Sequence, residues 1–243
     1  MSGRHERPSD PESGALMEGH SHALSGAVAG AATGLYVLHL PPAATLTLTG
    51  LTAGAALLPD IDHPDASLAE SFGFLGKTFA AIVGKVSGGH RHGTHSLIGI
   101  AVFTGLAWLA VHYRHDTAAR IGLAVLLSLI IAGGLYALPR VGGHLADLAA
   151  IGAAVAMTLT GTGLALVAVA TGLGCAVHIA GDALTDSGVP LGWPASRYRF
   201  RFWPEPFAFT TGTAPERFIV APALTVTLGL LAWQAVMAYR FGL

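Results

Sequence analysis

Apolar residues in this chain fall into seven long stretches, each bounded by Pro, Gly or charged residues. A helix that crosses a membrane needs about 20 predominantly apolar residues, and breakers of this kind mark where such helices end. The chain is therefore predicted to be an all-α, polytopic membrane helical bundle with about five to seven transmembrane helices. The predicted segments are 21–40, 43–59, 96–113, 119–138, 144–160, 162–182 and 217–239.

Two regions outside these stretches, 64–95 and 183–216, are hydrophilic or amphipathic. Within the first, the apolar spacing from Leu68 to Val86 is typical of a helix lying on the membrane surface. The N-terminal residues are polar and lack the basic-then-apolar pattern of a cleavable signal peptide. We therefore expect a disordered tail over 1–17 and a single membrane-embedded domain over 18–243.

Composition agrees with a membrane protein, since 52% of the residues are apolar and 11% are charged. Soluble domains usually carry about 25% charged residues. The formal net charge of −1 excludes nucleic-acid binding driven by bulk charge. The single cysteine, Cys175, excludes an internal disulfide and a cysteine-rich zinc site. Twelve His residues, several of them clustered beside Asp, instead indicate histidine and carboxylate chemistry.

These clusters lie at the ends of predicted membrane segments, and seven crossings place all of them on one side of the membrane. We expect them to share one site. The same side carries ten of the thirteen Lys and Arg residues, so the positive-inside tendency predicts that it is cytoplasmic. The clusters are His20 and His22; Asp60, Asp62 and His63; His90, His92 and His95; His178 and Asp182; and Glu216.

The types and spacing of these residues suit metal ligation. His178 and Asp182 are four residues apart, so they project from one face of a helix, and ionisable groups in membrane helices usually serve a function. His22 and His92 are interpreted as interfacial or solvent-facing. The remaining candidate ligands exceed the needs of one tetrahedral ion, so two or three divalent ions are expected, with zinc favoured and Mn or Fe as alternatives. The candidates are His20, Asp60, Asp62, His63, His90, His95, His178 and Asp182.

The stretch SRYRFRFWPEPF, 196–207, alternates Arg with aromatic residues. As an extended strand it would present Arg197, Arg199 and Arg201 on one side and aromatic rings on the other. This arrangement suits an anionic headgroup held at the membrane interface. A positive-inside anchor with aromatic belt residues fits the pattern equally well.

Several motifs, in this order, resemble those of the YdjM-like, LexA-regulated membrane-bound metal-dependent hydrolases. The resemblance implies a helical membrane protein related to zinc-dependent phospholipase C and the P1-type nucleases, with metals held by His and Asp. It supports the candidate ligands and adds Glu216 as an acidic candidate for the catalytic set beside Asp60 and Asp62. The motifs are EGHSHALSG, LLPDIDHPDASLAE, HRHGTHSLIG, HIAGDALTDSGVPLGWP, RYRFRF and PERFI.

Together these features predict a metal-dependent hydrolase that acts on a phosphoester, such as a phospholipid, with metal-activated water. One of Asp60 and Asp62 would orient or deprotonate that water, and Arg197, Arg199 and Arg201 would steady the anion. An iron-dependent membrane oxygenase or desaturase is one alternative, which the abundance of Asp disfavours. A metal-ion transporter or sensor is another, although transport requires ligands near the membrane midplane rather than at helix ends.

Overall fold

The computed structural model describes residues 11–204, 210 and 213–241, and these residues form helices joined by turns and loops. Strand-like pairing within this part of the chain is limited to one antiparallel β-bridge between Val189 and Phe200. The helices are α1 (Pro11–Ala32), α2 (Pro42–Ala55), α3 (Ser67–Glu70), α4 (Phe74–Val86), α5 (Leu97–His112), α6 (Thr117–Tyr136), α7 (Gly143–Thr160), α8 (Val167–Asp182) and α9 (Ala221–Phe241).

All seven predicted apolar segments correspond to helices, and five of these are long and apolar enough to cross a membrane. The other two are α1, which continues into a π-helical turn over Thr33–Val37, and α5, which has 16 residues. The predicted all-α membrane bundle is confirmed, and the chain is a multi-pass membrane protein. The five spans are Pro42–Asp62, Thr117–Tyr136, Gly143–Thr160, Leu164–Asp182 and Glu216–Arg240.

Helix α2 lies at the centre of the bundle and packs against α1, α6 and α8. Its core side chains, among them Leu48 and Leu51, are buried. The contact with α8 is close, because a Cβ at Gly174 would lie 2.7 Å from the carbonyl carbon of Ala55. Glycine at this position lets the two backbones meet, as small residues commonly do between membrane helices. The polar C-terminal end of α8 is thereby brought beside the end of α2.

The segment predicted as one surface helix, Leu68 to Val86, forms two helices, α3 and α4, separated by a turn. Gly73 in this turn has a positive φ of 57°, a conformation that interrupts a helix. Helix α4 exposes large apolar side chains, including Phe74 and Ile82. Such a face suits a helix resting on a lipid surface. The division into a disordered tail over 1–17 and a domain over 18–243 stays a prediction. Helix α1 begins at Pro11, and residues 1–10 lie outside the described part of the chain.

Candidate metal centre

Four chain segments bring their His and Asp residues together at one end of the bundle. Helix α2 ends in a 3-10 turn, Pro59–Asp62, which carries two carboxylates. A second 3-10 turn, Gly93–His95, leads into α5, whose first turn is capped by Ser96 through its side-chain oxygen and the Gly99 amide. Helix α8 ends at Asp182, and α1 contributes His22. We call the resulting cluster the polar centre, and its innermost members are His22, Asp60, His95, His178 and Asp182.

Two imidazole nitrogens face each other at the middle of the polar centre, where His95 Nε2 and His178 Nε2 are 3.2 Å apart. Asp60 Oδ1 lies 3.3 Å from the first nitrogen and 3.6 Å from the second. Asp182 Oδ2 lies 3.5 Å from each. Ligand atoms of a tetrahedral zinc with bonds of about 2.0–2.1 Å are separated by about 3.3 Å. The five distances given above are near this value. Among the described residues, the groups whose ligand atoms all lie within 4.8 Å of one another are Asp60–His95–His178 and His22–His178–Asp182, and each suits one small divalent cation.

In the neutral form of each ring, the hydrogen bonds of Nδ1 leave Nε2 without a proton. His178 Nδ1 donates to the Ala56 carbonyl at 2.6 Å. His95 Nδ1 donates to the Thr94 hydroxyl at 3.0 Å, because that hydroxyl donates its own proton to Asp62. A neutral imidazole has one N–H, so each Nε2 presents a lone pair to the other. This is the protonation state that metal ligation requires, with the opposite ring nitrogen fixed by a hydrogen bond.

Asp182 is fully buried, and neither of its carboxylate oxygens accepts a hydrogen bond from a described residue. A buried charge is costly unless it is paired or coordinates a metal. His22 Nε2 lies 3.3 Å from Asp182 Oδ1, and the His22 ring stacks on that of His178 at 3.9 Å. The interpretation of His22 as an interfacial residue is therefore wrong, since its side chain is buried in the polar centre.

Asp62 differs from Asp60, because its oxygens are occupied by protein donors. It accepts hydrogen bonds from His90 Nδ1 at 2.8 Å, from the Arg91 amide at 3.1 Å and from the Thr94 hydroxyl at 2.6 Å. Through Thr94 it also fixes the ring of His95. Asp62 thus supports the residues around the centre, as carboxylates beside metal sites commonly do.

Other predicted site residues are placed away from the four central atoms or at the rim. His20 Nδ1 donates to the Ala137 carbonyl at 2.8 Å, at the end of α6. His63 Nδ1 accepts from the Asp65 amide at 3.2 Å, and its ring packs 4.7 Å from that of His90. Glu216 is buried at the start of the span that contains α9. Within the described part of the chain, the two groups of potential ligands with atoms within 4.8 Å of one another are His22–His178–Asp182 and Asp60–His95–His178. Neither group includes His20, His63, His90 or Glu216.

The stretch of alternating Arg and aromatic residues does not form a regular strand. Phe200 joins the bridge to Val189, while Arg199 Nη1 donates to the Ser187 carbonyl at 3.2 Å. Arg197, Arg199 and Arg201 are all exposed.

A basic residue to which the sequence assigned no role at the site, Arg91, reaches the polar centre instead. Its Nη2 lies 3.8 Å from Asp182 Oδ1. Its Nε is buried and has no hydrogen-bond partner among the described residues. The centre therefore contains a guanidinium group with an unused donor.

Comparison with protein-family models gives a match over nearly the whole chain. The family model described as YdjM inner membrane protein matches residues 17–241, nearly the whole chain. Neither the curated proteins nor the solved structures provide a match. The matched region contains His22, Asp60, His95, His178 and Asp182, the innermost members of the polar centre. The chain belongs to the YdjM inner membrane protein family.

Proposed function

We propose that this protein is a membrane-bound, metal-dependent hydrolase that cleaves a phosphoester such as a phospholipid. The observation that carries the proposal is the close approach of His95 Nε2 and His178 Nε2, 3.2 Å apart, beside the carboxylates of Asp60 and Asp182. With both rings neutral, two lone pairs and two carboxylates at these distances repel one another, and a metal cation among them would remove that repulsion. Charged groups inside a membrane protein generally mark a functional site.

Asp60, His95, His178 and Asp182 are the residues that would hold the ion, and we propose zinc, with Mn or Fe as alternatives. When bound, a divalent ion lowers the pKa of water and stabilises the charge that develops on phosphoryl oxygens. The two groups of potential ligands share His178, whose Nδ1 is already bonded to Ala56. His178 Nε2 is therefore the one nitrogen of this ring available to both groups, and it binds a single ion. A second or third ion, as predicted, needs further ligands such as His22.

His90 is placed to move protons at the rim of the centre. Its Nδ1 donates to Asp62, so its Nε2 is free to accept a proton from water. Its side chain is 39% exposed, whereas that of Asp62 is fully buried. We assign Asp62 the role of orienting this base, an arrangement in which a buried carboxylate fixes the tautomer of a catalytic imidazole. Asp60 and Glu216 remain acidic candidates for the catalytic set.

Arg91 is placed to hold an anionic oxygen of the substrate. Its φ of 57° is a left-handed conformation that costs a residue with a side chain about 1 kcal/mol. Strain of this kind concentrates at functional sites, and here the Arg91 amide bonds to Asp62 while the guanidinium reaches toward Asp182. Guanidinium groups bind phosphoryl oxygens well. The exposed Arg197, Arg199 and Arg201 are proposed to contact anionic headgroups at the interface.

We also place the centre on the cytoplasmic side of the cell membrane, on the distribution of Lys and Arg. Reporter fusions after Tyr113, at the end of α5, and after Arg240 test this orientation. Both fusion sites lie at helix ends opposite the polar centre, so a periplasmic-type reporter should be active at both. Activity of a cytoplasmic-type reporter at both positions would reverse the assignment.

The test of the reaction class is a hydrolysis assay of purified protein against phosphodiester and phospholipid substrates. Wild-type protein should hydrolyse at least one substrate, and both a chelator and His178→Ala should abolish the activity. His112→Ala is the matched control, because His112 lies on α5 and stacks on Trp108, away from the centre. Hydrolysis that resists both chelator and His178→Ala would refute the proposal, and bound iron with oxygen consumption would indicate an oxygenase instead.

A further inference from the structure

An apolar groove runs beneath α4, beside the polar centre. It consists of two adjoining cavities of about 480 and 470 Å³, volumes typical of sites that bind small molecules. The cavities share four lining residues, so they are parts of one groove, which we call the α4 groove. The shared residues are Ile61, Phe79, Val125 and Leu129.

The walls of the α4 groove are hydrocarbon. Helix α4 forms one wall through Leu75, Phe79 and Val83, and α6 forms the opposite wall. The Ser128 hydroxyl, one of the few polar groups in the lining, donates to the Ala124 carbonyl at 2.7 Å. The groove therefore offers almost no free polar atom to a ligand, and it suits a hydrocarbon chain.

The groove adjoins the turn Pro59–Asp62, which carries a carboxylate of the polar centre. Ile61, which lines both cavities, stands between Asp60 and Asp62 in the chain. At the same place α4 touches the carboxylate turn, since a Cβ on Gly84 would lie 2.5 Å from the Asp62 carbonyl oxygen. Ile61 thus joins the lining of the groove to the turn that carries Asp60 and Asp62.

Positive charge flanks this end of the groove. Lys85 follows Gly84 in the last turn of α4 and is exposed, and the guanidinium of Arg91 reaches the centre. A cation near a membrane surface attracts anionic headgroups. A phospholipid has an apolar acyl chain and an anionic phosphate. The hydrocarbon walls of the groove suit the acyl chain, and the cations beside it suit the phosphate.

We propose that the α4 groove binds an acyl chain of an anionic membrane phospholipid and thereby presents its phosphate to the polar centre. The identification of this lipid as the substrate rests on the proposed hydrolase function. Binding of the chain in the groove is a separate event, so the two claims can be tested separately.

The first test fills the groove with Val125→Trp on α6. Val226→Trp is the matched control, because Val226 is similarly exposed on α9 but lies outside the groove (62% against 53% for Val125). Val125→Trp should lower the hydrolysis of long-chain phosphatidylglycerol in mixed micelles by about tenfold, equivalent to about 1.4 kcal/mol of lost binding. Hydrolysis of water-soluble bis(4-nitrophenyl) phosphate should be unchanged, and Val226→Trp should change neither. An equal loss with both substrates would overturn the proposal.

The second test measures binding without hydrolysis. The Asp60→Asn variant is photolysed with phosphatidylglycerol that carries a diazirine in its acyl chain, and the labelled peptides are identified by mass spectrometry. Label should concentrate near Phe79 and Leu129, and the additional change Val125→Trp should remove it. Label that is spread equally over α9, or that persists after Val125→Trp, would overturn the groove assignment. If the labelling is as expected but the wild-type protein hydrolyses none of the substrates, the acyl-chain site is supported and the hydrolase function is rejected.

Discussion

Two buried aspartates in apolar helices, Asp147 and Asp182, have opposite surroundings. Asp147 in α7 accepts a hydrogen bond from the Tyr136 hydroxyl at 3.1 Å, and that hydroxyl accepts one from the Gly143 amide at 3.1 Å. The oxygens of Asp182 accept none from the described residues and lie beside imidazole nitrogens. A carboxylate buried in a membrane protein therefore does not by itself indicate a site. A functional site is indicated where a buried carboxylate accepts no hydrogen bond from the described part of the protein, as for Asp182.

The largest effect is expected from removing the charge of Asp182. Asp182→Asn should lower hydrolysis by at least about hundredfold, because residues that merely support metal ligands already contribute 10–100-fold. Asp147→Asn should leave the rate within about twofold of the wild-type rate. The Asp147 carboxylate is hydrogen-bonded by Tyr136 and needs no ion. Steady-state rates of the two purified variants make the comparison. Similar losses in both would remove the distinction between the two aspartates.

A smaller effect is expected at Asp62, which bonds to His90, Arg91 and Thr94 but lies outside both groups of potential ligands. Asp62→Asn should weaken metal affinity about 10–100-fold, measured by competition with a chromogenic chelator. Thr94→Val should reproduce part of this loss, because it breaks the link to His95. Asp65→Asn, an exposed change just beyond the same turn, is the control and should leave the affinity unchanged.

Arg91 and Arg199 form the next comparison, between a guanidinium inside the polar centre and one bonded to loop carbonyls. Arg91→Gln should lower kcat/KM by at least about tenfold while metal content is retained, since one charge-assisted contact contributes about 1.5–3 kcal/mol. Arg199→Gln should lower it by less. Phosphodiester kinetics with metal analysis measure both variants. A larger effect at Arg199 would place substrate binding in the loop.

The smallest effect is expected at the Tyr136–Asp147 pair. Tyr136→Phe should cost about 0.6 kcal/mol of stability, the average for a hydrogen bond between membrane helices. Metal content and hydrolysis should both be unchanged. Thermal unfolding in detergent, followed beside an activity assay, measures the two properties. Loss of metal in this variant would connect the pair to the polar centre and contradict its purely structural role.

The fold was predictable because membrane helices leave a strong signal in hydropathy. All seven apolar segments correspond to helices, and the meeting of the His and Asp clusters follows from their positions at helix ends. The break between α3 and α4 was missed, since the amphipathic pattern continues across the turn at Gly73.

The arrangement inside the site was less predictable. His20 and His22 are two residues apart, so they point in different directions from α1, and only helix packing decides which one meets Asp182. Asp60 and Asp62 likewise lie in one short turn, yet they make different contacts. The alternation of Arg and aromatic residues suggested what an extended strand over 196–202 would present on its two sides. Among the described residues this stretch pairs through one bridge, and the Ser187 carbonyl binds Arg199.

Metal content tests most directly whether the polar centre is a cation site. Wild-type protein, Asp182→Asn and Asp147→Asn should be purified without added metal and analysed for zinc, manganese and iron by mass spectrometry. We predict that wild-type protein and Asp147→Asn carry at least one divalent ion per chain and that Asp182→Asn carries almost none. Two results would contradict this account. One is wild-type protein that carries no metal even after incubation with zinc, and the other is an Asp182→Asn variant that carries as much metal as the wild type.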